Sequence, residues 1–299
     1  MTAQRPAFGI NIIGKGKSDM KLMLRIGIGV VVILLVAVLV GVLMIDGIAK
    51  RAVEQNSTQA LGVSTTLDRA NVGIRDRRFT MAGLDISNPD GFDTPHFLKL
   101  DDGHVDVTLG TLRKETVELP TLYLEGIDIH LEQKEGRSNY KVILDHMEKM
   151  REETPADPDG KKFIVRELVI RDINVHVDLL PVGGSLSQLD MVIDEIILTD
   201  VGTETDRGVV LRELSGVIIQ SLFLAILNRG GDVLPDDLLK DLGGALASVG
   251  EIADFKLEVA GEALGHFGEA GRSIGESVGG VLEDIGGGFR GLFGNDDDD

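Results

Sequence analysis

Cysteine is absent from the 299 residues, which excludes disulfides, thiolate metal sites and a cysteine nucleophile without selecting a compartment. Tryptophan is also absent and aromatics make up only 4% of the chain, so its core must be built from Val, Ile and Leu. Positive charge is scarce: 30 Lys and Arg stand against 49 Asp and Glu, a net charge of −19. Phosphate backbones would be repelled, which argues against a nucleic-acid partner. No HExxH, no Gly-x-Ser-x-Gly elbow and no carboxylate cluster distinct from ordinary surface acids occurs, so the chain reads as a non-enzyme without a cofactor.

One long apolar run is present. Residues 26–45 carry no charged or strongly polar side chain. About twenty such residues span a roughly 30 Å hydrocarbon core as a helix that satisfies its own backbone. A cleaved signal would have a shorter apolar core and small residues before the cut, whereas Met44, Ile45 and Asp46 follow this one. Arg5, Lys15, Lys17, Lys21 and Arg25 precede the run with Asp19 the only acid among them, while Lys50 and Arg51 beyond it are mixed with Asp46 and Glu54. The bias places the N-terminus in the cytoplasm and the bulk of the chain outside it. Residues 11–18 resemble a phosphate-binding loop with Asn11 at the first Gly position, but that loop must join a buried strand to a helix. Here it opens a membrane span and reads as a basic tail.

Between residues 65 and 199 the pattern is two-fold alternation, the mark of strands with one apolar face. Val105, Val107 and Leu109 alternate with His104, Asp106 and Thr108, as do Ile127, Ile129 and Leu131 with Asp128, His130 and Glu132. A finer unit recurs: two apolar residues in alternation, a two-residue step, then two more. It appears as Phe79, Met81, Leu84, Ile86; as Leu122, Leu124, Ile127, Ile129; as Leu168, Ile170, Ile173, Val175; and as Met191, Ile193, Ile196, Leu198. Strict alternation would turn the second half of each unit to the opposite face. A bulge or bend at Ala82-Gly83, Glu125-Gly126, Arg171-Asp172 and Asp194-Glu195 would keep one apolar face throughout. Such repetition predicts an array or a strongly curved sheet, taken as antiparallel and shaped as a groove or half-barrel.

Residues 140–153 read as a helix with Val142, Ile143, Met147 and Met150 on one side, closed by the polar loop 154–160. Residues 211–227 are an apolar helix-like run, short for a second span and interrupted by Gln220 and Ser221, which we read as packed on the sheet; a re-entrant or membrane-surface segment is the alternative. Leu238, Leu242, Leu246, Val249, Ile252 and Phe255 then fall at helical spacing, followed by Leu264, Phe267, Ile274, Val278, Val281, Ile285 and Phe289. Gly261, Gly265, Gly268, Gly271, Gly275 and Gly279 interleave with this second set, which permits close helix packing or marks a frayed tail. The expected order is a basic tail (1–25), an anchor (26–45), an extracytoplasmic β-domain (46–205), a helical Gly-rich segment (206–294) and an acidic tail (295–299). His104, His130 and His176 lie on the predicted strands among acids. We read them as the polar face of amphipathic strands and expect no metal site, although convergence on a metal is the minority alternative. Asn56-Ser57-Thr58 matches a glycosylation acceptor formally, with nothing else pointing to a pathway that would use it.

Three local features coincide in the order expected of one family. The segment Val53-Glu-Gln-Asn-Ser-Thr-Gln-Ala-Leu-Gly62 follows the anchor as a short helix running into a strand. Leu84-Asp-Ile-Ser-Asn-Pro-Asp-Gly-Phe92 ends a strand in an Asn-Pro-x-Gly-Phe turn, and Glu135-Gly-Arg-Ser-Asn-Tyr140 leads into the helix. The stretch from about Leu22 to Thr199 resembles the N-terminal part of the AsmA family of bacterial envelope proteins, related in architecture to TamB and other bridge-like lipid transporters. The resemblance implies an inner-membrane anchor, a periplasmic location and a curled sheet whose apolar lining carries phospholipid in outer-membrane biogenesis. Membrane, phospholipid and other envelope proteins are then the expected partners. On that reading the groove is lined by Val105, Val107, Leu124, Ile127, Ile129, Ile170, Ile173, Val175, Ile193 and Ile196. The alternative is a non-enzymatic scaffold or assembly factor whose sheet is packed dry by its own helices. The two differ in whether apolar area on the sheet is left uncovered.

Overall fold

The computed structural model describes residues 44–267, apart from 74, 108–109, 112–113, 154–160, 181–186, 204–207, 232 and 251. The predicted anchor up to residue 43, the basic tail and the stripe from Ile274 to Phe289 lie outside the described residues. Residues 47–299 form one compact unit, separate from residues 1–46, and the description below concerns the former.

A helix, α1, covers residues 44–61. It leads into β1 (Thr65–Gly73), β2 (Arg78–Ser87), β3 (His96–Asp106), β4 (Thr116–Lys134) and the short β5 (Arg137–Ser138). Helix α2 (Asn139–Glu153) crosses to β6 (Lys162–Leu180), followed by β7 (Ser187–Val201), β8 (Val209–Val210), α3 (Leu211–Arg229), α4 (Asp236–Val249), β9 (Phe255–Val259) and β10 (Glu262–Phe267). Among the described residues the strands form one ten-stranded sheet in the order β1-β2-β3-β4-β6-β7-β9-β10, with β5 beside β4 and β8 beside β6. It is not closed into a barrel.

The repeated unit governs this sheet. Leu84, Leu100, Ile127, Ile173 and Ile193 form one cross-strand row, and Ile86, Leu98, Ile129, Val175 and Met191 a second. Met81, Gly103, Leu124, Ile170 and Ile196 form the third, and Phe79, Val105, Leu122, Leu168 and Leu198 the fourth. Between the second and third positions of the unit the ladder skips one residue on each of β1, β2, β3, β4, β6 and β7: Asp68, Gly83, Asp101, Gly126, Asp172 and Asp194. Both partners skip together, so register is kept while the sheet creases along a line. Gly83 (φ 67°), Gly126 (φ 74°) and Asp172 (φ 54°) take the left-handed conformation that resets the alternation. A Cβ on Gly126 would lie 2.6 Å from the Asp101 carboxylate, and one on Gly83 2.5 Å from that of Asp68, which is why two of the three are glycine.

Three expectations are corrected. The sheet is mixed rather than antiparallel: β4 and β6 run parallel, with Leu122 opposite Leu168 and Ile129 opposite Val175. A parallel pair needs a long crossover, and α2 with its flanking segments supplies it. The chain from Phe255 to Phe267 is a β-hairpin rather than helix, added to the edge of β7. Alternation of Phe255, Leu257 and Val259 and a turn at Ala260-Gly261, both at positive φ, override the helical spacing. Within α2, Val142 is exposed and Leu144 takes the buried place expected of it.

The run at 211–227 is a core helix. Twelve of the nineteen residues of α3 are buried, and all but Gly216, Gln220 and Ser221 of these belong to the same hydrophobic cluster as the sheet rows and α4. The polar residues that interrupt the run fit this setting: Gln220 Nε2 donates to the Gly250 carbonyl (2.8 Å) beyond the end of α4, and Ser221 Oγ donates to Ile218 O (2.7 Å). Gly216 lets Ile252 approach to where a Cβ would meet it at 2.6 Å. Phe223 reaches Phe97 on β3 and Tyr140 on α2, with ring centroids 6.2 and 6.5 Å away. Tyr140 and Ser138 both donate to Asp241 Oδ2 (2.7 and 3.1 Å), tying the start of α2 to α4. Burial above all raises the Tyr140 phenol well beyond its usual pKa, so it stays a donor.

Candidate functional site

Nine of the ten residues expected to line a groove are buried in the single core cluster: Val105, Leu124, Ile127, Ile129, Ile170, Ile173, Val175, Ile193 and Ile196. Val107, just past the end of β3, is partly buried against it. They do share one face. That face is occupied over its centre, with α3 against β7 and β8 and α2 against β4. Coverage thins toward β1 and β2, where Ala70, Val72, Phe79, Met81 and Leu84 are only half-buried.

The opposite, polar face carries the histidines. The parallel register sets His130 directly beside His176, their rings stacked at 4.9 Å. Asp128, two residues before His130 on the same face of β4, meets both rings: Oδ1 lies 2.9 Å from His130 Nε2 and Oδ2 3.2 Å from His176 Nε2. Asp190 on β7 lies 2.6 Å from His176 Nδ1. Partial burial disfavours the charged form of His176, but Asp190 and Asp128 outweigh it and hold its pKa above the ordinary histidine value. His104 takes no part; it stacks on Tyr123 at 4.8 Å.

The two short motifs that carry the family resemblance meet in space, a point the sequence reading missed. Buried Glu132 accepts hydrogen bonds from Asp93 N (2.7 Å), Thr94 N (3.1 Å), Thr94 Oγ1 (3.0 Å) and Asn88 Nδ2 (3.3 Å). Asn139 accepts from Glu132 N (2.9 Å) and donates to Asn88 Oδ1 (2.9 Å) and His130 O (2.8 Å). Arg137 lies over the Phe92 ring at 5.6 Å, and Lys134 pairs with Asp93. The Asn-Pro-x-Gly-Phe turn and the start of α2 are thus one polar knot at the end of β4. In the sequence Glu132 reads as one more acid on the polar side of the β4 alternation, so no local signal marked it as buried.

No protein-family model and no curated protein matches the chain.

Proposed function

We propose that this protein is a non-enzymatic scaffold or assembly factor of the bacterial envelope, held in the inner membrane by residues 26–45, with its sheet domain in the periplasm. The observation that carries this reading is the coverage of the apolar sheet face: the rows where an acyl chain would lie are filled by the protein's own helices. Burial of a methylene contributes about 0.8 kcal/mol wherever its partner comes from, so a face already covered gains nothing from lipid. The membrane assignment is supported by the uninterrupted apolar run at 26–45. It is also supported by Met44 (62% exposed) and Ile48 (61% exposed), large apolar side chains at the start of α1 that a bilayer surface would cover.

A second reading rests on the half-buried margin at β1 and β2. There the apolar rows continue through Val72, Phe79 and Met81 with less cover, and a single acyl chain has a place to lie. Site-specific photocrosslinking separates the two. A benzophenone side chain replacing Phe79 or Met81 in the full-length protein, activated in membranes, is compared with one replacing Val192, which is 65% exposed on the polar face. The scaffold reading expects protein adducts and no more phospholipid adduct from Met81 than from Val192. Phospholipid adducts specific to Phe79 and Met81 would overturn it and establish a lipid path along this margin.

A further inference from the structure

We propose that Asp128, His130 and His176 form a binding site for a single divalent transition-metal ion of the zinc or cobalt type. This inference uses only the polar face and stands independently of the scaffold reading. It replaces the view of these histidines as mere strand surface.

Register creates the site. His130 and His176 occupy the same position of the repeated unit, so the parallel pairing of β4 and β6 delivers two imidazoles side by side. Asn174 takes the place beside Asp128, so the row holds one carboxylate rather than two mutually repelling ones. The Nε2 atoms of both histidines converge on the two oxygens of Asp128, and the three ligand atoms lie within 4.8 Å of one another. An ion bound at about 2.0–2.2 Å from nitrogen and oxygen requires tetrahedral ligand atoms roughly 3.3–3.5 Å apart. The observed contacts, 2.9 Å to Oδ1 and 3.2 Å to Oδ2, lie near that spacing, and rotation of the three side chains would have to bring both Nε2 atoms and one carboxylate oxygen onto the ion. It would take the place of the protons that now bridge rings and carboxylate.

The surroundings favour a metal over a simple ion-pair network. Asp190 lies 2.6 Å from His176 Nδ1, so once an ion displaces the Nε2 proton the remaining ring proton is held on Nδ1 and the Nε2 lone pair is free to ligate. A carboxylate behind a ligating imidazole in this way orients the ring and raises its basicity. His130 lacks that support, since its buried Nδ1 has no partner among the described residues, so His176 is the stronger ligand of the two. Two imidazoles with one carboxylate select zinc, cobalt or nickel over magnesium and calcium, which demand oxygen shells. Three protein ligands leave a coordination position facing solvent, where water or a partner's side chain can complete the shell.

The test uses the full-length protein in detergent, stripped with chelator and titrated with Co²⁺ by visible absorption and with Zn²⁺ by calorimetry. One ion per chain is expected, with the intense visible bands of tetrahedral cobalt. His176→Gln should abolish binding, and Asp190→Asn should weaken it by about 10–100-fold with the cobalt spectrum retained. His104→Ala, on the same face but outside the cluster, should bind as the parent does. Metal-free melting confirms that each variant is folded. Should His176→Gln fail to fold, His130→Gln and Asp190→Asn carry the test. Absence of uptake by the parent, or uptake unchanged in the folded variants, would overturn the proposal.

Discussion

Replacing Glu132 with Gln tests whether the polar knot holds the Asn88–Phe92 turn to the start of α2. The carboxylate has four donors: Asp93 N sits 2.7 Å from Oε1 and 3.0 Å from Oε2, while the others gather on Oε2. Glutamine keeps one acceptor oxygen. Its best placement leaves that oxygen on the Oε2 side, where Asp93 N keeps its longer contact of 3.0 Å, and puts the amide NH₂ at the Oε1 side, where the shorter bond is lost and a donor crowds the Asp93 N–H. Hydrogen bonds to a charged acceptor contribute about 1.5–3 kcal/mol and neutral ones about 0.5–1.5 kcal/mol, and a buried donor without a partner costs about 1–3 kcal/mol. Asp93 lies on the wet side of the turn, where water relieves part of the lost bond, so we expect the lower part of that range, about 2 kcal/mol. For a domain of this size that is a fall of roughly 4–8 °C in Tm. Thr94→Val removes one donor to Glu132 and the acceptor of Asn88 Nδ2 (2.8 Å) and should cost about 1–2 kcal/mol, and the double variant should lose less than the sum because both changes strike the same bonds. Thermal melting of the four proteins, with hydrogen exchange over residues 88–94, reads both effects. A Glu132→Gln protein that melts within a degree of the parent, with exchange in the turn unchanged, would refute the knot as a stabilising element.

Gly126→Ala places a Cβ at φ 74° and 2.6 Å from the Asp101 carboxylate and should destabilise by about 1–3 kcal/mol, whereas Asp172→Gly at φ 54° should be neutral or stabilising by up to about 1 kcal/mol; denaturant melts measure both. Ile129→Glu and Val175→Glu bury a carboxylate in the core cluster and should unfold the domain globally, while Met81→Glu at the half-buried margin should fold, as circular dichroism would show. A reporter active only outside the cytoplasm should work when fused after Asp299 and fail when placed before Met20, and the opposite result would overturn the periplasmic assignment.

Much of the sheet was legible because the four-position unit is a statement about faces. Leu122, Leu124, Ile127 and Ile129 can share a face only if the strand resets between Leu124 and Ile127, and the reset sits at Gly126. The units on β1 and β3 escaped notice because small residues fill their slots: Thr65, Leu67, Ala70 and Val72 on one, and Gly103 between Leu100 and Val105 on the other. Strand direction was not legible from the faces, since a parallel pair shows the same alternation as an antiparallel one; only the helical crossover between β4 and β6 hinted at it. The metal-ligand set depended on that direction. His130 and His176 were visible as matching positions of a repeat, but only parallel pairing without offset turns matching positions into neighbours. The hairpin of β9 and β10 was misread because Leu264 and Phe267 suit a helix turn as well as a strand, and the short segment lacks the length that separates the two.

The crease has a consequence for size. Every strand from β1 to β7 on the main path bends at the same level, so the fold line runs at right angles to the chain direction and strands can be added along it without altering the cross-section. Each new strand needs only four small or apolar residues and one position tolerant of the reset. Length is then set by strand number and width by strand length, two properties that can change separately. A short chain such as this one and a much longer one can share a single profile, differing as two cuts of the same moulding differ, and the helices α2, α3 and α4 decide how much of that profile is filled.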